Sequence, residues 1–136
     1  MTRLKHKLSK IILIIIIIPL GLLSKQYHGL GASWINDFSG DILYEVFWCL
    51  FLSLFFVPSR QVILKIAMSV FIITCIIEIS QLWQTGFLIW IRSHTIGKLL
   101  LGTTFSWLDF PHYLLGCVLG WLLLIKFTPS VYEKTN

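Results

Sequence analysis

The chain has 136 residues, enough for one domain and not for two. Apolar residues make up 57% of it and Asp, Glu, Lys and Arg only 12%, against a charged fraction of roughly 25% in soluble domains. So few charges exclude a small soluble fold, and so much hydrophobicity excludes a disordered chain.

The composition is that of an integral membrane protein. The positive balance, 11 Lys plus Arg against 6 Asp plus Glu, does not signal nucleic-acid binding. Arg3, Lys5, Lys7 and Lys10 crowd the N-terminus just before an isoleucine run, as a cytoplasmic flank does, and no basic stripe interleaves with aromatics. Cys49, Cys75 and Cys117 lie in separate apolar stretches without disulfide or zinc spacing, so they read as packing residues.

The first expected helix covers residues 8–23, and residues 11–23 alone contain eleven Ile or Leu. Each contributes about −0.3 to −0.6 kcal/mol to insertion. A signal peptide is the rival reading, but the small-residue site Gly29-Leu30-Gly31-Ala32 lies beyond Lys25, Gln26 and His28, too far from the apolar run. A retained helix is expected. The second helix is expected over residues 42–57, followed by a turn at Pro58-Ser59-Arg60-Gln61, and the third over residues 62–82. Residues 86–106 are mostly apolar but hold Arg92, His94 and Lys98, with Trp90 and Trp107 as interfacial markers. An Arg or Lys at mid-bilayer costs about 2.5–3.5 kcal/mol, so this segment is expected to be interfacial or re-entrant. The last helix is expected over residues 111–127. The predicted fold is an all-α integral membrane protein, with residues 1–136 forming one membrane domain. Its core is a four-helix transmembrane bundle, with the interfacial segment between the third and fourth helices.

Four spans with a cytoplasmic N-terminus put Arg3, Lys5, Lys7, Lys10, Arg60, Lys65, Lys126 and Lys134 inside, and only Lys25, Arg92 and Lys98 outside. The positive-inside rule therefore predicts that both termini are cytoplasmic.

The same topology gathers Asp37, Asp41, Glu45, Glu78 and Asp109 at the outer side or in the outermost helix turns, and leaves Glu133 inside. Glu78 lies 17 residues beyond Gln61, about 25 Å along a helix that crosses an apolar core about 30 Å thick. An ionisable residue there marks a functional site by default. Gln81 shares its helix face. Asp41 and Glu45 share another; Asp41 has an alternative role as a helix cap, whereas Glu45 needs a partner. Asp109 and His112 flank Pro111 at the start of the last helix, where Ser106 and Asp109 also have capping-box spacing. Arg92 is the expected cation, for Glu78, for Asp109 or for a lipid phosphate. Gly116 and Gly120 are four apart, a signal for close helix packing. There is no nucleophile elbow, P-loop, dinucleotide fingerprint or metal signature, and no cofactor is expected.

Gly40-Asp41, Glu78-Ile-Ser-Gln81-Leu82, Trp90-Ile-Arg92, Gly97, Leu101-Gly102, Phe105-Ser-Trp107-Leu-Asp109, Tyr113 and Gly116 together resemble a family of small uncharacterised bacterial membrane proteins. The resemblance covers roughly residues 8–127 and extends to the broader VanZ-like group. That group's pattern is Glu-x-x-Gln, a following Arg, then Asp with Asn four and Gly seven residues later. Glu78, Gln81, Arg92, Asp109 and Gly116 match it, whereas Tyr113 stands in place of the Asn and the Arg-to-Asp interval is longer. The resemblance implies a role at the bacterial cell envelope, where the VanZ-like group is associated with glycopeptide resistance.

The expected function is binding of an amphiphilic or lipid-linked envelope molecule at the outer face, through Glu78, Gln81, Arg92 and Asp109. The alternatives are a membrane-embedded enzyme or proton-linked carrier using Glu78 or Glu45, and a structural partner of another membrane protein.

Overall fold

The computed structural model describes residues 2–128; Glu133 and Lys134 lie outside the described residues. Among the described residues every regular element is helical: α1 (Thr2–Ser24), α2 (Ala32–Trp34), a π-helical turn (Ile35–Ser39), α3 (Gly40–Ser53), α4 (Arg60–Ser80), α5 (Gly86–Ser93), α6 (Thr95–Leu101) and α7 (Asp109–Lys126). Three of them, α1, α4 and α7, are long and apolar enough to cross a membrane.

The second expected helix is a composite. The α-helix proper has 14 residues, about 21 Å at 1.5 Å per residue. Helical backbone continues upstream through the π-turn into α2, so the helical run begins ten residues ahead of the predicted residue 42, at Ala32. Within the turn the Ser39 hydroxyl donates to the Ile35 carbonyl, and the Asn36 side chain donates to the Tyr27 carbonyl at 3.0 Å. Such side-chain competition for backbone groups is a recognised source of helix irregularity. At its far end α3 stops at Ser53 rather than at residue 57. Pro58 disfavours a helical Val57, so the chain unwinds ahead of it. Ser59 then caps α4, its Oγ accepting from the Val62 N–H at 3.2 Å.

Residues 86–106 form two short helices of eight and seven residues, neither long enough to span. They meet in a tight corner, where a β-carbon on Gly97 would lie 1.8 Å from the Ile91 carbonyl oxygen. The last helix begins at Asp109, two residues ahead of the expected start, because Pro111 is tolerated within a first turn.

Helix α3 is the centre of the bundle and packs against α1, α4 and α7. It supplies Val46, Cys49 and Leu50 to the core, which Ile63 and Val70 of α4 and Cys117 and Leu124 of α7 complete. Contact between α3 and α7 is close because α7 presents Gly116 and Gly120 there. A β-carbon at 116 would lie 2.6 Å from Glu45 Cβ, and one at 120 would lie 2.8 Å from Cys49 Cβ. Helix α1 is peripheral: of its described residues only Lys10 and Ile17 are buried, while Ile12, Ile15 and Ile16 face outward. An apolar outer surface of this extent fits hydrocarbon surroundings and not water.

Candidate functional site

Two glutamates are fully buried, at successive depths beneath α7. Glu78, in the last turn of α4, is 0% exposed. Its carboxylate accepts three hydrogen bonds: at Oε2 from Gln81 Nε2 (2.9 Å) and from the Tyr113 hydroxyl (2.8 Å), and at Oε1 from the Ser106 backbone N–H (2.7 Å). A buried carboxylate requires such donors to offset its lost hydration. They come from α4 itself, from α7 and from the loop between α6 and α7, so Glu78 joins three parts of the chain.

Asp41 and Asp109 stand beside it, half-buried, and are close enough to act electrostatically on each other and on Glu78. Neither caps a helix by its side chain. Helical backbone already precedes Asp41, and Asp109 is the first residue of α7 after Leu108. The capping box expected from Ser106 and Asp109 is replaced by another arrangement: Glu78 takes the Ser106 N–H, and the Asp109 carboxyl interacts with the Ser106 side chain and with Glu78. The cation set against both aspartates is Lys25. Its stem lies across the bare Cα of Gly40, where a β-carbon would approach Lys25 Cε to 3.0 Å.

Arg92 does not join this cluster. It is 8% exposed, and its guanidinium donates to the Trp83 carbonyl and to Ser80 Oγ, both at 3.3 Å. Both acceptors lie at the C-terminal end of α4, where unsatisfied carbonyls and the helix dipole favour a cation. The expected pairing with Glu78 or Asp109 is therefore replaced by bonds to two uncharged acceptors, which hold α5 to the end of α4. His112 lies close enough to Asp109 to act on it electrostatically, while its ring stacks on Phe38 at 4.1 Å between centroids and its Nδ1 lies 2.6 Å from the Leu108 carbonyl oxygen. Glu45 lies against α7 below Gly116. Its Oε2 accepts from the Cys117 thiol at 2.9 Å, while Oε1 is buried without a partner.

Glu78, Gln81, Asp41 and Asp109 share one cavity of about 920 Å³ between α1, α3, α4, α6 and α7, and Asp37, Lys25 and Lys98 also line it. One end is polar; the other is walled by Ile17, Leu22, Phe47 and Trp48. Next to it lies a second hollow of about 360 Å³ beneath Leu100 and Leu101, the two sharing Tyr44, Trp48, Thr74 and Ile77. The Tyr44 hydroxyl donates to the Leu100 carbonyl at 3.1 Å and holds α6 as a roof over this slot. Just past α6 the chain turns at Gly102, whose φ of 64° favours glycine and whose missing side chain leaves room for Gln81 Nε2. The Gln81 amide is thereby fixed, with Nε2 on Glu78 and Oε1 buried and unpartnered.

The residues beyond those expected are Tyr113, Ser106, Lys25 and Cys117. Two of them carried a signal, since Asp109, Tyr113, Gly116, Cys117 and Gly120 recur at helical spacing along a single face.

No curated protein and no solved structure matches the chain. A family model described as a protein of unknown function matches residues 30–117, a span that includes Asp41, Glu45, Glu78, Gln81, Asp109 and Tyr113. With well over half of its length matched, the chain belongs to the DUF2809 family of proteins of unknown function.

Proposed function

We propose that this protein binds an amphiphilic or lipid-linked molecule of the cell envelope in the cavity bounded by α1, α3 and α6. One observation carries the reading: a cavity with Glu78, Asp41 and Asp109 among its lining residues adjoins an apolar slot under α6, the two sharing Tyr44, Trp48, Thr74 and Ile77. Ligand sites are mostly apolar hollows of about 300–1,000 Å³ with a few convergent polar groups. The reading includes the topology expected from the charge bias: a bacterial inner-membrane protein with four spans, both termini cytoplasmic and the carboxylates toward the outer face.

Native mass spectrometry of the purified protein tests it. A co-purified amphiphile should be retained by the parent and by Ile76→Trp, whose side chain points away from the bundle, and lost from Ile77→Trp, which fills the junction of the two hollows. Equal retention in both variants overturns the proposal.

A second reading, a proton-linked carrier or membrane-embedded enzyme, is favoured by Glu45, a fully buried carboxyl with one oxygen unpartnered. A Glu45→Gln variant that still binds the amphiphile but loses function in cells would favour it.

A further inference from the structure

One wall of the cavity is a single strip of chain. Every residue from Lys98 to Thr104 lines it, and none of them is buried, so the strip has the cavity on one side and the protein's surroundings on the other. Both ends of the strip are held. At the near end Gly97 packs against the Ile91 carbonyl in the α5–α6 corner, and α5 is anchored to α4 through Arg92. At the far end the Ser106 N–H is bound by Glu78 at 2.7 Å. Between these points, among the described residues, one hydrogen bond joins the strip to the bundle: the Tyr44 hydroxyl donates to the Leu100 carbonyl at 3.1 Å.

Three features make the strip a moving part. The Leu100 carbonyl belongs to the last turn of α6, where the helix offers no donor of its own, so the Tyr44 bond can break without disturbing the helix. Tyr44 stays in place without it, because its ring meets Trp48 edge-on with centroids 6.0 Å apart. Directly after α6, Gly102 has φ 64° and ψ −175°, a backbone conformation reserved almost wholly for glycine, and small residues at element ends are common hinges. The helix also carries exposed Ile96 and Leu99, apolar surface that suits lipid and not water. Segments with few buried contacts are the first to open. We infer that residues 98–104 are a lid, jointed at Gly102 and latched by the Tyr44 hydroxyl, that opens toward the bilayer and admits an apolar chain to the slot beneath Leu100 and Leu101. This inference rests on the amphiphile reading above and goes beyond it by assigning the route of entry and the residue that controls it.

The test is the reactivity of a thiol placed under the lid. Ile77 lines both hollows, and Ile77→Cys is treated with N-ethylmaleimide in purified full-length protein in detergent. Peptide mass spectrometry follows each thiol separately. Cys75 is partly exposed and lines neither hollow, so it is the reference, while buried Cys49 and Cys117 stay unreacted as long as the bundle is folded. Tyr44→Phe keeps the ring and removes the latch. It should speed alkylation at position 77 about two- to tenfold, the range of one neutral hydrogen bond, and leave Cys75 unchanged. An unchanged rate at position 77 overturns the inference, and so does an equal rise at Cys75, which would mean general loosening. Neither rate depends on a bound amphiphile, so the two readings can fail separately. A lid response in a protein whose amphiphile is retained equally by Ile76→Trp and Ile77→Trp would keep the lid and discard the amphiphile.

Discussion

Tyr113 Oη lies 2.8 Å from Glu78 Oε2 and donates to it from the neighbouring helix, across 35 residues of sequence. This bond ties the start of α7 to the end of α4 at the level where the cavity is most polar.

Removing the hydroxyl should therefore be felt as stability. Tyr113→Phe leaves Glu78 with two donors instead of three, and a hydrogen bond to a charged group is worth about 1.5–3 kcal/mol. Thermal unfolding in detergent should show a loss in that range. In a double-mutant cycle with Glu78→Ala, which removes the acceptor outright, the two changes should couple by at least about 0.5 kcal/mol. Strict additivity would mean that the contact contributes nothing.

Arg92 offers a contrasting case. Its acceptors are a backbone carbonyl and a serine hydroxyl rather than a carboxylate. Arg92→Ala should cost about 1–3 kcal/mol, below the 3–5 of a broken buried ion pair, and exposed Lys98→Ala should cost less than about 0.5. Arg92→Ala and Asp109→Asn should be additive in a cycle. Strong coupling between them would restore the ion pair that the sequence suggested.

The glycines of α7 make a prediction with an internal control. Gly116→Ala and Gly120→Ala put a methyl within 2.6 and 2.8 Å of α3 side-chain carbons, and such overpacking typically costs 1–3 kcal/mol, here about that range for each. Gly21 in α1 has nothing within 4 Å of a built β-carbon, so Gly21→Ala should be neutral or stabilise by up to about 1 kcal/mol. The ranking is read from unfolding temperatures. A destabilised Gly21→Ala beside an unaffected Gly116→Ala would contradict the packing described.

The helical membrane character was legible because it needs only run length and composition, which residues 11–23 and 62–82 display openly. Glu78, Asp41 and Asp109 were legible because charges within or beside apolar stretches stand out, and Gln81 because it shares the helix face of Glu78. The partner of Arg92 was not, since sequence spacing does not reveal that α5 folds back under the end of α4. Lys25 read as a flanking charge for a similar reason, because its place against Asp41 depends on α1 lying across Gly40. The π-turn was hidden too, since Ser39 and Asn36 bind backbone groups that are identifiable only once the chain is folded.

The proposed topology is tested by tags at two highly exposed turns. Leu30 is 95% exposed in the α1–α2 connection and Val57 is 75% exposed between α3 and α4. With four spans and a cytoplasmic N-terminus, an epitope at 30 should be reached in spheroplasts with an intact inner membrane and one at 57 only after that membrane is permeabilised. Access to both from the same side would remove α3 as a span.

Glu78→Gln separates the roles of the buried carboxylate. An amide keeps one acceptor and gains an NH2 group. Its oxygen can still take the Ser106 N–H, but its NH2 then faces the Tyr113 hydroxyl and the Gln81 amide, where Oε2 now accepts from both. Tyrosine can accept as well as donate, and Gln81 can flip so that its own oxygen receives the new donor. The variant should therefore fold with an unfolding temperature close to the parent's, unlike Glu78→Ala, which strands three buried donors and should lose more than about 2 kcal/mol. Glu78→Gln should also still bind the co-purified amphiphile, because the polar end of the cavity keeps its shape. A folded Glu78→Gln that no longer retains the amphiphile would assign the charge of Glu78 to the ligand rather than to the fold.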